Sequence, residues 1–409
     1  MKKLLACALA FAMAAASFSG CAGKKGAESG AGSAAGSGAA GEPVTITHWY
    51  WADNSDYSAT MQQIAKDFNA SNGKNITVKA EEYPWDGGAY SENLFNAVMG
   101  GGAPDTAAWK LTATPLFTAN NLLAKLDDYV TSWKDKDEID DNIYKIMREA
   151  GGKSEMYVMP WNIQVLYVYY RPSIFKKAGV EVPKTYEEFL DAVKKCTLDT
   201  NGDGKTDVYG FGMRGAKGGQ EPWGSFLYGR GGSFEKLDSP ESVQGMQDFI
   251  DLYKNHYVPP TAPQDGFNEI IANFKSGKTA MTIHHTGSSA DMVKTFGDDV
   301  DAFPFPKGKG QWTSMGDTEN VIFEASEHKD AAFEWVSYLA TGAGQEKWCK
   351  VTGNVPVSKK VQEMSEFKDN KFMKASIAGQ SYAGILPIRD TTTEWISTVW
   401  PNTVASALA

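Results

Sequence analysis

The sequence contains few residues that could hold a metal or build a disulfide framework. Its 409 residues include four cysteines and five histidines, with no His-Glu-x-x-His spacing and no cluster of histidine with cysteine. A catalytic zinc site is therefore not expected. Cys7 and Cys21 lie near the amino terminus, which leaves Cys196 and Cys349 for the rest of the chain. Two cysteines make no framework, and the sequence does not decide whether they form a bridge.

An excess of positive charge is also absent. The chain has 40 lysines and arginines against 50 aspartates and glutamates, which gives a formal net charge of −10. A protein that binds nucleic acid needs a basic surface to neutralise phosphates. Nucleic acid is therefore not expected as a partner.

Familiar catalytic motifs are missing or misplaced. No Gly-x-Ser-x-Gly elbow occurs. The stretch "GFGMRG" at 210–215 fits Gly-x-Gly-x-x-Gly, but the following "AKGGQEPWG" is not expected to begin a helix, so a strand running into a glycine-rich loop is predicted. "SGKT" at 276–279 stands between a predicted helix and a strand, the reverse of the P-loop order.

We therefore expect that the protein is not an enzyme. The alternative is a glycoside hydrolase that uses a pair of carboxylates among its many Asp and Glu residues.

No apolar run is long enough to predict a membrane-spanning helix. Residues 4–18 are apolar and follow two lysines, a pattern typical of an export signal over residues 1–20. Ser19-Gly20 before Cys21 resembles a bacterial lipobox, in which the cysteine thiol receives diacylglycerol. The alternative is a plain secretory signal with an incidental cysteine. Residues 21–43 are mostly Gly, Ala and Ser and predict a flexible, lipid-anchored linker that holds the protein outside the cytoplasm.

One acidic loop, "DTNGDGKTD", follows the spacing of a calcium loop. Asp199, Asn201, Asp203, Lys205 and Asp207 are the candidate ligands. Gly204 stands where such loops turn sharply, but Gly210 occupies the position at which a glutamate should close the site. The pattern predicts either a structural calcium completed by a carboxylate from elsewhere or a metal-free loop of Asx turns.

Strand and helix patterns alternate through the rest of the chain. The β-branched run "VTITHWYW" is followed by a helical pattern, the strand pattern "NITVKAEEY", a second helix and the short strand pattern "PDTAAWK". This order predicts a parallel sheet, and a similar alternation after the extended stretch "MYVMPWNIQVLYVYYR" predicts a second α/β lobe.

Aromatic residues are abundant, with 12 tryptophans and 17 tyrosines, and many follow predicted strands. Ligands of open α/β sheets bind beyond the carboxyl ends of the strands. The candidates at those ends are Trp51 and Asp53, Trp85, Trp109 and Lys110, Glu221 and Trp223, and His285, while Trp161 and Gln164 lie in the long extended stretch. Aromatic plates edged with polar side chains suit the C–H face and the hydroxyls of a sugar ring. Core packing is the alternative for any one tryptophan.

Several segments resemble the extracellular solute-binding lipoproteins of ABC importers, the type 1 group that includes maltose-binding protein. They are "NAVMGGGAPDTAAWK", "YVMPWNIQVLYVYYRPSIFKKAGVEVPKTYEEFLDAVKK", "FKSGKTAMTIHHTG" and "TGNVPVSKK". The resemblance implies a periplasmic-binding-protein-like α/β fold of type II, with two lobes joined by hinge crossings around a ligand cleft. It places the amino-terminal lobe at 44–162 plus 304–342 and the carboxy-terminal lobe at 163–303 plus 343–409. Crossings are expected near 162–166, 301–306 and 341–345.

The resemblance also implies a function. The protein is expected to be a monomeric receptor that captures a carbohydrate, an oligosaccharide in our interpretation, and presents it to the transmembrane subunits of an ABC permease. No cofactor is required, and calcium would be structural. Trp395, Arg389 and Asp317 complete the expected ligand positions. Relatives usually carry a further helix beyond "NTVASALA". The rival hypotheses are a surface glycan-degrading enzyme and a receptor for a non-sugar solute, for which Arg389 could clamp a carboxylate.

Overall fold

A computed structural model describes residues 42–52, 54–85, 89–152, 154–389 and 391–408, without the side chains of Asp317 and Thr393. The predicted signal, residues 21–41 of the predicted linker, which include the lipidation position Cys21, and the predicted ligand residue Asp53 lie outside the described residues. In the described part of the chain, no helix is both long enough and apolar enough to cross a bilayer.

The strands are β1 Val44–Tyr50, β2 Ile76–Glu82, β3 Thr106–Trp109, β4 Val158–Val165, β5 Tyr167–Tyr170, β6 Tyr209–Gly212, β7 Thr279–His284, β8 Asp301–Phe303, β9 Thr313–Ile322, β10 Val355–Pro356 and β11 Ala383–Gly384.

The α-helices are α1 Ser55–Ser71, α2 Ala89–Met99, α3 Thr114–Ala119, α4 Asp127–Ser132, α5 Asp141–Ala150, α6 Pro172–Ala178, α7 Tyr186–Lys195, α8 Gln220–Gly229, α9 Pro240–Lys254, α10 Phe267–Lys275, α11 Ser289–Phe296, α12 Lys329–Ala340, α13 Gly342–Thr352, α14 Lys359–Gln362, α15 Ser365–Lys368, α16 Lys371–Gly379, α17 Thr392–Glu394 and α18 Trp400–Leu408. Short 3-10 turns span Leu111–Ala113, Lys136–Glu138, Thr286–Ser288 and Gln380–Tyr382, and a π-helical turn spans Trp395–Val399.

The first sheet has the order β10-β4-β9-β3-β1-β2, with β11 beside β9. β1 pairs in parallel with β2 and β3, as the alternating strand and helix patterns predict, whereas β9 runs antiparallel to β3 and β4. Helix α1 packs on this sheet because Met61, Ile64, Ala65 and Phe68 recur at helical spacing and are buried. The carboxyl ends of β1, β2 and β3 therefore meet at one edge.

The second sheet has the order β6-β7-β5-β8. β6 and β7 are parallel, and β5 runs antiparallel to both β7 and β8. Thr185 caps α7 by accepting a hydrogen bond from the backbone N–H of Glu188. Gly210 in β6 lies so close to this helix that a Cβ would come 1.8 Å from the carbonyl oxygen of Val193. Gly210 thus permits close packing of β6 on α7.

The chain passes between the two sheets at Leu166, where β4 ends and β5 begins, and again between β8 and β9. The prediction of a crossing at 341–345 is wrong. α12 and α13 both bury their apolar faces in the hydrophobic core around the first sheet, which we call the first core; the core around the second sheet is the second core. α13 also contacts α1, and β10 pairs with β4. Residues 342–356 therefore pack with the first sheet, although the lobe boundary predicted above assigns 343–409 to the second lobe. The chain rejoins the second core later, where Trp400 and Leu408 are buried.

The two cysteines of the described chain are free and buried in different cores, Cys196 in the second and Cys349 in the first. This separation excludes a bridge between them. Burial raises the pKa of the Cys196 thiol to about 12, so both the geometry and the protonation state leave this thiol unreactive.

Candidate functional site

Two adjoining cavities lie where the carboxyl ends of the first sheet's strands approach those of the second. The larger, which we name the tryptophan chamber, has a volume of about 450 Å³. The smaller, the histidine chamber, has a volume of about 220 Å³. Gln164, His285 and Gly316 line both cavities and form their common wall.

The tryptophan chamber is lined by Trp51, Tyr57, Trp85, Ala108, Lys110, Trp161, Asn162, Gln164, His285, Gly287, Gly316, Thr318, Trp348, Thr352 and Asn354. Six of the residues predicted from the sequence are among them: Trp51, Trp85, Lys110, Trp161, Gln164 and His285. The carboxyl-edge pattern accounts for Trp51, Trp85, Lys110 and His285, whereas Trp161 and Gln164 reach the chamber from within β4.

Trp51 and Trp85 form one aromatic wall of the tryptophan chamber. They follow β1 and β2, and their ring centroids lie 4.8 Å apart. Tyr90 packs edge-on against Trp51, and its hydroxyl donates to the carbonyl oxygens of Trp49 and Ala108, which ties the ends of β1 and β3 together. Tyr90, anchored in this way, packs beside both indole rings.

Trp161 and Trp348 form the opposite aromatic wall. Their centroids lie 4.6 Å apart with the ring planes inclined by 32°. Tyr57 packs beside Trp348 and donates its hydroxyl proton to the carbonyl oxygen of Thr352. Trp161 is 1% exposed, and its indole N–H has no hydrogen-bond partner among the described residues.

Polar groups stand between these aromatic walls. The Lys110 ammonium lies 5.7 Å from the centre of the Trp51 ring and 3.5 Å from the Thr318 hydroxyl. Gln164 donates from its amide nitrogen to the side-chain oxygen of Asn354. The amide nitrogen of Asn162 is buried without a hydrogen-bond partner in the described part of the chain. Cationic, amide and hydroxyl side chains thus line the chamber between its two aromatic walls.

The histidine chamber belongs mainly to the second sheet. It is lined by Gln164, Leu166, Arg214, Glu221, Pro222, Phe267, Ile270, Ile283, His284, His285, Ser314 and Gly316. Arg214 follows β6 and pairs with Glu221 of α8 at 3.4 Å. Phe267 begins α10, and its ring packs on both imidazoles, with centroids 4.1 Å from His284 and 5.3 Å from His285.

Both histidines of this chamber are held neutral. Burial, followed by the positive charge of neighbours that include Arg214, lowers the pKa of His284 to about 2. Burial and Arg214 lower the pKa of His285 to about 4. The Nδ1 atom of His285 accepts the Gly287 backbone N–H at 3.0 Å. A neutral ring that accepts at Nδ1 carries its proton on Nε2, so His285 offers a donor there.

Two tryptophans predicted for the site, Trp109 and Trp223, line neither chamber and pack within the hydrophobic cores. Trp109 is 1% exposed and donates to the Thr114 hydroxyl at 2.9 Å. It is the last residue of β3, and Lys110 continues the extended backbone just beyond it, so these two successive side chains point to opposite faces. Trp223 is 3% exposed and packs on Trp400 with centroids 4.9 Å apart.

After β6 the chain runs through a loop over 213–219, as predicted, but a helix then begins within "AKGGQEPWG", contrary to the prediction, and this helix explains the position of Trp223. α8 begins at Gln220, and a proline is tolerated in its first turn because the N–H groups there have no intrahelical acceptor. Residues two apart on a helix do not share a face. Glu221 therefore lines the histidine chamber while Trp223 enters the core.

Arg389 and Trp395 lie apart from both chambers. They line a separate cavity with Leu237, Leu386 and Val399, and Arg389 is paired with Glu235. Asp317 stands on β9 between two residues of the chamber wall, but its side chain is not described. Asp53 is outside the described residues.

The structure adds residues that strand ends do not indicate. In the tryptophan chamber these are Tyr57, Thr318, Trp348, Thr352 and Asn354, and in the histidine chamber Arg214 and Phe267. The spacing of Trp348 and Thr352 by four residues on α13 is the one signal that could have paired them.

The acidic loop lies at the opposite end of β6 from the histidine chamber. Asp199 accepts hydrogen bonds from the backbone N–H groups of Gly202 and Gly204, and Asp207 accepts from Thr200. These hydrogen bonds lower the pKa of Asp199 and of Asp207. No group of three His, Cys, Asp or Glu side chains among the described residues is arranged to hold a metal. The contacts fit Asx turns, and calcium stays a prediction.

Comparison with known proteins agrees with this arrangement. A family model of the bacterial extracellular solute-binding proteins matches residues 63–375. An arabinooligosaccharide-binding protein of Halalkalibacterium halodurans is 25% identical over 338 residues, covering 77% of this chain and 72% of that protein. A multiple sugar-binding protein of Streptococcus mutans is 22% identical over 352 residues, covering 78% and 76%.

Two solved structures show the same fold. The sugar-binding protein MalE of Xanthomonas citri has a TM-score of 0.77 at 16% identity, covering 89% of this chain and 92% of that one. The GacH receptor of Streptomyces glaucescens, solved with acarbose, has a TM-score of 0.68 at 24% identity, covering 89% and 97%. The predicted fold class, two α/β lobes of the periplasmic-binding type, is confirmed.

Proposed function

The chain belongs to the bacterial extracellular solute-binding protein family, and on that premise we propose that it binds a carbohydrate in the tryptophan chamber. The observation that carries the proposal is the pair of aromatic walls, Trp51 with Trp85 and Trp161 with Trp348, around a space of about 450 Å³. Flat apolar faces suit the C–H face of a sugar ring.

Unpaired polar atoms in the same chamber support a hydroxyl-rich ligand. The indole N–H of Trp161 and the amide nitrogen of Asn162 are buried and lack partners among the described residues. Buried donors are as a rule hydrogen-bonded, because leaving one unpaired costs ~1–3 kcal/mol. Both atoms have almost no accessible surface, so a sugar hydroxyl would satisfy them only after the chamber rearranges.

The relatives support the same class of ligand. Their names refer to arabinooligosaccharide and to multiple sugars, and one structural neighbour was solved with maltotetraose. These sugars differ, so the comparison favours carbohydrate as a class over any one sugar.

Binding with hinge closure is the mechanism we propose. Gln164 and Gly316 lie beside the crossings of the chain, and His285 comes from the second sheet. A ligand that contacts both lobes favours the closed arrangement by the contacts it makes there. The protein would then act as a monomer, anchored through Cys21, that delivers the sugar to an ABC permease.

Hydrolysis of the sugar is the less favoured function. Glycoside hydrolases need two carboxyl groups about the scissile bond. Of the described side chains that line the two chambers, Glu221 is the one carboxylate, and it is paired with Arg214. One ion-paired carboxylate does not supply the two carboxyl groups that hydrolysis needs, so the chambers suit binding of a sugar without turnover.

A thermal-shift screen against mono- and oligosaccharides, followed by calorimetry, tests the proposal. A sugar present at 100 times its dissociation constant should stabilise the protein by about 2.7 kcal/mol. Chromatography of the sugar after incubation distinguishes binding from turnover. A screen without any stabilising sugar would contradict the proposal, and released products would favour the enzyme.

A further inference from the structure

We propose that three side-chain amides of α1 close the free edge of β2 and keep the protein from pairing edge to edge with a second copy. This inference concerns self-association and does not depend on the proposed carbohydrate function. β2 lies at one end of the first sheet and has seven residues. The strands at the other sheet ends, β10, β6 and β8, have two, four and three. A long edge strand whose N–H and C=O groups are unpaired is a template for another chain.

The backbone groups of β2 point alternately to its two sides. In a strand, the N–H and C=O of one residue point to one side and those of the next residue point to the other. β1 pairs with β2 in parallel and takes one of these sides. Ile76, Val78 and Ala80 turn their groups to the other side, because these groups bond to side chains of α1. This row would be open to a second chain if nothing covered it.

Two asparagines of the α1 region pair with this row as a neighbouring strand would. Asn72 accepts the N–H of Ile76 at 3.2 Å and donates to the C=O of the same residue at 2.8 Å. Asn69 accepts the N–H of Val78 at 2.7 Å and donates to its C=O at 3.1 Å. A side-chain amide has one acceptor and two donor hydrogens, so it reproduces the pairing of a backbone peptide group.

The third amide continues the row. Gln62 donates to the C=O of Ala80 at 3.0 Å, one pair further along β2. Gln62, Asn69 and Asn72 are seven and three residues apart, and residues at these spacings share one face of a helix. Gln62 and Asn69 are exposed, so their replacement leaves no cavity in the core. The face of α1 that carries the amides thus follows the edge of β2.

The opposite end of the first sheet is closed by similar means. Pro356 in β10 has no N–H, and its C=O accepts from the side-chain amides of Gln362 at 2.8 Å and Gln380 at 3.4 Å. Short length and proline are common ways of blunting an edge strand. Side-chain amides therefore cover backbone groups at both ends of this sheet.

Replacing the two exposed amides tests the inference. Gln62→Ala/Asn69→Ala removes the side-chain partners of Val78 and Ala80, and alanine favours the helix. Sedimentation velocity over a range of concentrations should show a monomer for the unchanged chain. Self-association of the double variant should be at least about tenfold stronger. Adding Ala80→Pro should reverse this gain, because proline removes an outward N–H and is tolerated on an edge strand. Circular dichroism and urea denaturation check that each variant is folded.

The matched control is Gln63→Ala/Ser71→Ala. Both side chains are exposed on α1 and bond within the helix, Gln63 to the carboxylate of Asp67 and Ser71 to the backbone C=O of Asp67. The control variant should stay as monomeric as the unchanged chain, because it leaves the amides at the edge of β2 in place.

Amide hydrogen exchange tests the same contact in a single variant, so the test does not depend on the folding of the double variant. In Asn69→Ala, the N–H of Val78 should exchange at least about tenfold faster than in the unchanged chain, because it loses its acceptor. The N–H of Thr77, which faces β1, should change within about twofold.

Four results would overturn the inference. They are a folded double variant that stays monomeric at every concentration, a control that associates as strongly, association that Ala80→Pro does not reverse, and a Val78 N–H whose exchange is the same with and without Asn69. The third result would place the contact between copies away from β2.

Discussion

The Trp161 and Trp348 rings pack 4.6 Å apart, although one stands on β4 and the other on α13. This contact joins the long strand of the first sheet to a helix far along the chain. It completes one wall of the tryptophan chamber, and it follows from α13 packing with the first lobe.

Replacing Trp85 with Ala should weaken sugar binding by ~1–3 kcal/mol, because the ring offers a half-buried aromatic face to the chamber. Calorimetry with the sugar found in the screen measures the change. Trp133→Ala is the matched control, since Trp133 is also half-buried but packs on Phe333, away from both chambers. Equal affinity losses in the two variants would remove Trp85 from the site.

Trp223→Ala should act on stability instead. Its ring is buried against Phe234 and Trp400, so truncation leaves a cavity and should cost ~3–5 kcal/mol of unfolding free energy. Urea denaturation measures this loss, and the folded variant should keep its sugar affinity. A stable variant that no longer binds sugar would restore Trp223 to the site.

Asp248→Ala should also destabilise the second lobe without touching the ligand. Asp248 is buried, accepts the Tyr186 hydroxyl at 2.8 Å and pairs with Arg230. Its loss would leave the buried Tyr186 hydroxyl without its acceptor and Arg230 with the more exposed Glu187 as ion-pair partner, at a cost of ~1–3 kcal/mol. Asp251→Ala, one turn further along α9, is the control and should change the free energy by ~0.5 kcal/mol. Comparable losses in both would show that the buried pair contributes little.

Acidification should weaken folding before it weakens sugar binding. Burial lowers the pKa of His48 to about 3 in the folded state, below the ordinary value of about 6.5. The unfolded chain therefore binds a proton that the folded chain does not, and stability falls as the pH drops below about 6.5. His48 alone should cost about 2 kcal/mol at pH 5.

Sugar affinity should stay nearly constant from pH 8 to pH 5, because His284 and His285 remain neutral in the folded protein across that range. Urea midpoints and calorimetry at pH 7 and pH 5 measure the two quantities separately. His48→Gln should reduce the pH dependence of stability, and a sharp loss of affinity above pH 5 would contradict neutral histidines in the site.

A chelator should leave sugar affinity unchanged. The acidic loop precedes β6, whose four residues span about 13 Å before Arg214 begins the histidine chamber. If calcium binds this loop, EDTA should lower the melting temperature alone. Loss of sugar affinity in EDTA with an unchanged melting temperature would contradict the loop's position.

Local sequence patterns are enough to define much of the first aromatic wall. Strand patterns are local, and the carboxyl ends of neighbouring parallel strands must meet, so the patterns alone place Trp51, Trp85 and Lys110 together. The next residues are harder to assign, because a strand or helix has two faces. Trp109 beside Lys110, and Trp223 beside Glu221, lie on the buried face.

The distant elements that close the site are set by tertiary packing. The sequence of α13 is amphipathic, but it does not predict which surface of the protein buries the apolar face of this helix. Its packing against α1 and β4 brings Trp348 to Trp161 and moves residues 342–356 to the first lobe. The periodicity of apolar residues in the sequence predicts that one face of a helix is buried. Only long-range packing decides which part of the protein covers that face.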